Sequence, residues 1–402
     1  TGDLYTGAVS TTFATTTEPV TDNLYGWGSI LDSVSYGTFQ SWALLYNKKI
    51  EWRSSPVQIN SQKNTFSKFF TNGLNTYDGS QLYSHVMGIT KANQVYGWGW
   101  NGYGQLGDNT TNPRSSPVLV SSDSHTALGL GSQFTLFLKT DKTLWASGQN
   151  TNGQLGINSV INKSSPTQVG SNTNWTSVAA GYSASFAVNE LGYLYSWGYN
   201  GSGELGQGSG ALYGSFSSPV FIGTDYDSVY SRASSSFVIK TNGTLWTAGT
   251  NLNQVLGYGT TPSYSTGFFQ VSGTYTYPWV KVAPAGDHVL ALNSNGDVYA
   301  WGNNTSGQLG LNSNTGPVAG QFYNIPQFVT SGASDIAAGI GVSFIIKDGT
   351  LYGFGSNVTG SLGLNGGNLY YSSPVQIGSY SGWTDINLSA DGQSVLGIAT
   401  PI

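Results

Sequence analysis

The sequence predicts an all-β fold, a seven-bladed β-propeller whose N- and C-terminal strands share one closing blade. Three observations carry that reading: a phrase that recurs with a period near 50 residues, hairpin dipeptides inside each unit, and an unpaired half-unit at each end.

The recurring phrase is "YGWGWNGYGQLG" from Tyr96, "WASGQNTNGQLG" from Trp145 and "YSWGYNGSGELG" from Tyr195. It returns as "WTAGTNLNQVLG" from Trp246, "YAWGNNTSGQLG" from Tyr299 and "YGFGSNVTGSLG" from Tyr352, with a degenerate copy, "LYGWGS", from Leu24. Its anchor glycines are Gly28, Gly99, Gly148, Gly198, Gly249, Gly302 and Gly355, spaced by 71, 49, 50, 51, 53 and 53 residues. A regular period of that length, with several strands in each unit, is the signature of propeller blades. Strands flank Asn242-Gly243 in "SFVIKTNGTLWTAG" and Asp348-Gly349 in "SFIIKDGTLYGFG". Both dipeptides accept the positive φ of a tight hairpin. Downstream, "SSPV" or "SSPT" places Pro117, Pro166, Pro219 and Pro374 on outer strands, where a missing N–H costs little.

The shared positions have structural work to do. The glycines flanking Trp98, Trp197 and Trp301 would let strands crowd near the axis; Asn101 and its equivalents would bond their own backbone; Leu106 and its equivalents would fill blade seams. The run from Trp383 supplies the first half of a unit and the run from Leu24 the second, so joining them closes the ring and removes sheet edges. The expected organisation is an extended arm over 1–22 and a propeller over 23–402, closed by about 23–59 together with 383–402.

Gly102-Tyr103-Gly104-Gln105-Leu106-Gly107 spells G-x-G-x-x-G, the fingerprint of a dinucleotide-binding turn, and so does the copy starting at Gly201. Elsewhere the first glycine is replaced by Thr151, Leu252, Thr305 or Val358, and no copy opens an amphipathic helix. The phrase is a repeat, and no cofactor is expected.

With "LYSWGYNGSGELG", "SSPVFIG" and "SFVIKTNGTLWTAG" quoted, the chain resembles the regulator of chromosome condensation repeat family from about Asn23 to its end. The resemblance implies a seven-bladed propeller. Propellers of this family serve as exchange factors, ligase accessory domains, secreted inhibitors and adhesive surface modules, so the resemblance is weak on function. No local motif permits the founding member's exchange residues to be carried over, and a basic arm is missing: residues 1–47 hold neither Lys nor Arg.

Only 8% of residues are charged and the net charge is −5, which disfavours nucleic acid as a partner. Without cysteine there is no disulfide, thiolate or Cys-bound zinc. The start reads as no signal peptide, and no apolar run approaches a membrane span. His85 and His288 occupy one repeat column, which reads as a polar position satisfied inside a blade; His125 reads as a loop residue. No metal-ligating spacing and no nucleophile elbow occurs, and Asp225 and Asp227 read as solvated acids, so no catalytic or metal residue is expected.

The first unit is longer than the others, with a surplus on each side of Pro56. It is rich in aromatic and basic residues, including Trp42, Tyr46, Lys48, Lys49, Trp52, Arg53, Lys63, Phe66, Lys68, Phe69 and Phe70. Aromatics with cations form a candidate protein-docking surface. The alternative docking set is Trp100, Tyr103 and Tyr199, expected in the loops just past the inner strands. The expectation is a non-enzymatic binding or structural protein of a phage virion or extracellular surface. Its partners would be other virion proteins or a host receptor, without membrane insertion. A secreted inhibitor-type propeller and a guanine-nucleotide exchange factor are the rivals.

Overall fold

The anchor glycines explain why each unit folds back on itself where it does. Gly99, Gly148, Gly198, Gly249, Gly302 and Gly355 have φ between +94° and +110°. A Cβ there would strike the preceding turn of the same blade, at 2.6 Å from Ser84 O for Gly99 and 2.1 Å from Ser234 O for Gly249. The third strand is thereby pressed against the start of the second. The glycine serves contact within a blade, rather than crowding at the axis, because this strand is third from the centre.

A computed structural model describes residues 23–28, 53–58, 66–72, 84–259, 262–273, 275–312, 321–364, 369–389, 392 and 394–400. The predicted arm over 1–22 lies outside them. Seven four-stranded antiparallel sheets form the ring. The first blade holds strands Phe66–Asn72, His85–Thr90, Val95–Gly99 and Arg114–Ser121, from the axis outward. Five more follow over 125–168, 175–223, 226–270, 279–330 and 333–381. The seventh is composite. Trp383–Leu388 and Ser394–Ala399 are its inner strands, and Asn23–Gly28 pairs with the latter from Asn23↔Ala399 to Gly28↔Ser394. Arg53–Gln58 is its outer strand. The prolines Pro117, Pro166, Pro219 and Pro374 all lie on outer strands, as the sequence indicates.

Apolar clusters fill the seams between blades. Trp197 of the third blade sits with Leu136, Leu144 and Leu155 of the second. Leu106 of the first sits with Leu128 and Phe137 of the second. Two expectations are corrected. Phe66, Lys68, Phe69 and Phe70 belong to no insertion: they form the first blade's inner strand, where Phe66 and Phe69 are buried against Trp98 and Ile398. His125 is no loop residue. It opens the second blade's inner strand, buried, with Nδ1 donating to Asp123 O at 2.8 Å.

Ending the chain before Trp383 removes both inner strands of the closing blade and exposes the edge of Asn23–Gly28. The expected result in scanning calorimetry is loss of the single cooperative transition.

Candidate protein-binding face

Antiparallel pairing sorts the connections onto two faces. One face, here the loop face, carries the turns from inner to second strand and the loops from third to outer strand. The other, the hairpin face, carries the second-to-third hairpins and the links between blades. The two faces differ in chemistry.

On the loop face, the third-to-outer loop of each of the first six blades is turned by one asparagine. Asn101, Asn150, Asn200, Asn251, Asn304 and Asn357 accept through Oδ1 from the N–H of the leucine five residues on, at 2.9 to 3.1 Å. In the first blade Asn101 Nδ2 also donates to Thr110 O and Asn112 O, at 3.1 Å each. The polar groups of these loops are thus spent inward. Burial works against the Asp108 charge, but bonds from Thr110, Arg114 and Asn101 hold its carboxyl below the usual range. Arg114 pairs with it at 2.6 Å. Glu204 and Asp287 on this face are buried.

Large apolar residues stand in solvent on the loop face, among exposed polar ones such as Asn112, Asn158 and Asn162. Leu252 is 75% exposed, Tyr213 71% and Val358 55%, and Tyr182 and Ile340 stand out on inner-to-second turns. The hairpin face instead carries ion pairs, several of them between blades: Lys142 with Glu190, Lys281 with Asp335, and Lys139 with Asp123 at 2.5 Å.

The predicted aromatic trio lies on the loop face, each ring half-buried. Trp100 and Tyr103 share the first blade's loop, while Tyr199 is two blades away. Trp100 lies over Gly102 and Tyr199 over Gly201, so that a Cβ would come within 2.5 and 2.3 Å of the rings. This accounts for the false nucleotide fingerprint: those two copies have a glycine because an aromatic covers it. Trp42, Tyr46, Lys48, Lys49 and Trp52 lie outside the described residues. Gly28 and Arg53, which bound their segment, are the end of a third strand and the start of an outer one. That segment therefore leaves from and returns to the loop face, as do residues 73–84 between Asn72 and His85. The ends of that segment are thus on the same face as Trp100, Tyr103 and Tyr199.

A further constellation imitates a catalytic site. Asp287 Oδ1, His288 Nδ1, His288 Nε2 and Ser343 Oγ form a chain with separations of 2.8 and 2.6 Å. The order matches a nucleophilic triad. Ser343, however, donates its only proton to Gln308 O at 2.7 Å. His288 must then donate from Nε2 to the hydroxyl and from Nδ1 to the carboxylate, which leaves it no lone pair to act as base. His288 and Ser343 are fully buried. The same hydroxyl bond recurs without histidine at Ser185, which donates to Gln154 O at 2.6 Å. The relay joins the fifth blade to the sixth. Burial opposes the Asp287 charge, yet His288, Gln308 and the Gly341 N–H hold its carboxyl below the usual range. His85 repeats the arrangement with Thr135 at 2.9 Å, and burial pushes its imidazole down to about 3. His288 is satisfied inside the ring, as the shared column indicates, whereas His85 keeps only the Nε2 half of the arrangement and its Nδ1 is buried without a partner among the described residues.

The description "Regulator of chromosome condensation (RCC1) repeat" matches residues 93–138, 141–188 and 295–346, and a second description of that repeat matches 126–154 and 175–204. The propeller carries RCC1 repeats. The ultraviolet-B receptor UVR8 of Arabidopsis thaliana is 24% identical over 271 residues, covering 64% of this chain and 58% of that receptor. A Protein RCC2 homolog of Xenopus laevis is 33% identical over 150 residues, covering 37% of this chain and 28% of that protein. The chain thus spans little more than half of the one and under a third of the other. Among solved structures, yeast RCC1 (Prp20) superposes with a TM-score of 0.78 at 16% identity, over 100% of this chain and 97% of that one. Human WBSCR16 superposes with a TM-score of 0.73 at 19% identity, over 94% and 98%. Identities this low establish the shared fold.

Two outcomes follow from the buried histidines. His288→Ala leaves the Asp287 carboxylate buried without its partner and is expected to cost about 3–5 kcal/mol, read as a lowered midpoint in urea. An unfolded histidine takes a proton below about 6.5, whereas folded His85 does so only near 3. The unfolded state therefore binds the extra proton between those values, and stability falls as pH is lowered through that window. His85→Gln should flatten that limb of the stability–pH curve.

Proposed function

We propose that this RCC1-repeat propeller is a non-enzymatic protein-binding module that docks its partner on the loop face. The observation that carries the reading is the sorting of chemistry between faces: exposed Leu252, Val358 and Tyr213 with few free charges on one, ion pairs on the other. Large apolar residues kept in solvent are costly unless something covers them. The aromatic and basic segment containing Trp42, Tyr46, Lys48, Lys49 and Trp52 is attached to the same face, which supports it as part of the docking set, with Trp100, Tyr103 and Tyr199 beside it. Protein partners are the rule for the solved relative: Prp20 is bound to Kap60, and it binds Gsp1p and histones.

The setting proposed is an exposed surface, a virion or the cell exterior, with a structural protein or a receptor as partner. Low charge, absence of cysteine and heavy use of Ser, Thr, Asn and Gly support it. An exchange-factor role is the rival, and accelerated nucleotide release from a small GTPase would establish it instead.

Cross-linking of the native assembly tests the face. Lys48, Lys49 and Lys163 are expected to link to the partner, while Lys91, Lys142 and Lys347 of the hairpin face are not; the reverse pattern overturns the proposal. In binding kinetics, substituting Lys48 and Lys49 together should slow association and flatten its salt dependence, and Trp42→Ala should chiefly speed dissociation.

A further inference from the structure

The inner strands of all seven blades enclose a channel of about 480 Å³. Its walls follow the strand alternation. The third residues of these strands form a ring toward the hairpin face: Lys68, Ala127, Ser177, Ser228, Lys281 and Asp385 line the cavity, and Asp335 completes the ring. Two residues further along, the wall is made of Phe70, Ala179, Tyr230, Ala283 and Ala337. Beyond them Arg232 of the fourth blade reaches across to Leu388 O of the closing blade, at 3.4 Å. A guanidinium thus crosses the far end, and access is from the hairpin face.

The ring holds two lysines and two aspartates, but its charges are not all paired. Asp335 is paired with Lys281. Asp385 has no ion pair among the described residues, and its Oδ2 is buried without a hydrogen-bond partner. A buried carboxylate oxygen lacking a donor costs free energy that a bound cation would recover. The chemistry of that cation is set by what surrounds it. No third His, Asp or Glu joins the site to make a metal centre among the described residues. The wall just inside Asp385 is aliphatic and aromatic apart from Asn387, whose amide is held by Phe69 O and Thr71, and its apolar side suits a hydrocarbon chain.

We propose that the central channel binds a primary alkylammonium group, with its N–H donors on Asp385 and its alkyl chain along Phe70, Ala179, Tyr230, Ala283 and Ala337. The group is a free amine or the lysine side chain of a protein entering from the hairpin face. The site is independent of the loop face, so its failure leaves the docking proposal untouched. The charged groups facing Asp385 are Lys281, Asp335 and Lys68. Burial pushes the Asp385 carboxyl up to about 6, Lys281 opposes that rise, Asp335 adds to it, and Lys68 opposes it. Binding therefore weakens as pH falls through that value.

Calorimetric titration of the whole chain with n-butylammonium and with N-acetyl-lysine methylamide tests the proposal. Saturable binding of either supports it, and the arm that binds identifies the source. Tetramethylammonium, which has charge but no N–H donor, should bind at least about tenfold more weakly. Asp385→Asn should lower butylammonium affinity at least about tenfold while the melting temperature holds or rises; exposed Asp348→Asn should change neither. Absence of saturable binding in both arms, equal binding of tetramethylammonium, or full affinity in Asp385→Asn overturns it.

Discussion

The six seams from the first blade round to the closing blade are each fastened on the loop face at one backbone carbonyl, that of the residue before the Leu-Gly of the repeat. Gln105 O receives Thr135 Oγ1 at 2.8 Å, and Gln154 O receives Ser185 Oγ at 2.6 Å and Trp197 Nε1 at 3.0 Å. Val255 O receives Trp301 Nε1 at 2.7 Å and Gln308 O receives Ser343 Oγ at 2.7 Å. Ser361 O receives Trp27 Nε1 at 2.9 Å, which fastens the N-terminal strand of the closing blade to the sixth. The donors come from the next blade and are buried, so leaving any of them unpaired would cost its full desolvation. The rest of the repeat exists to aim that carbonyl. The asparagine curls the loop by holding the leucine N–H, the anchor glycine presses the third strand against the turn behind it, and the leucine seals the seam beside the bond.

How much of this was legible follows from where each signal is written. The blade count and the split closing unit are written in side-chain identity at fixed spacing, and they read directly. The asparagine is legible too, because its side chain bonds within its own loop. The fastening carbonyl carries no side-chain signal: Gln105, Glu204, Val255 and Ser361 all supply it, so no shared letter marks it. Asp287 and His288 are adjacent in the sequence, but Ser343 joins them only because the sixth blade lies beside the fifth. The surplus of the first unit was visible by counting, yet its edges were not, since Phe66, Phe69 and Phe70 suit a docking loop and a buried inner strand equally well. Asp385 was invisible as a site because its ring is assembled from single residues on seven strands.

The contrast between the faces is a consequence of the fastening. A second-to-third hairpin makes its seam bond through a turn carbonyl alone, as Asn93 O does with the His125 N–H at 2.9 Å and Gly243 O with the Trp279 N–H at 3.0 Å, so its turn side chains are free to be Asn, Asp and Lys, and their charges pair between neighbouring blades. A third-to-outer loop must present its carbonyl to the next blade, and its polar side chains turn inward to do so. The remaining positions, such as Leu252 and Val358, are left facing water with no structural demand on them. Residues 29–52 and 73–84 connect strand ends on this face, and surface connections of this kind tolerate extra length at small entropic cost. The outer surface of the loop face is therefore free to vary without disturbing the buried carbonyl bonds beneath it, and the docking surface proposed there asks nothing of the seams.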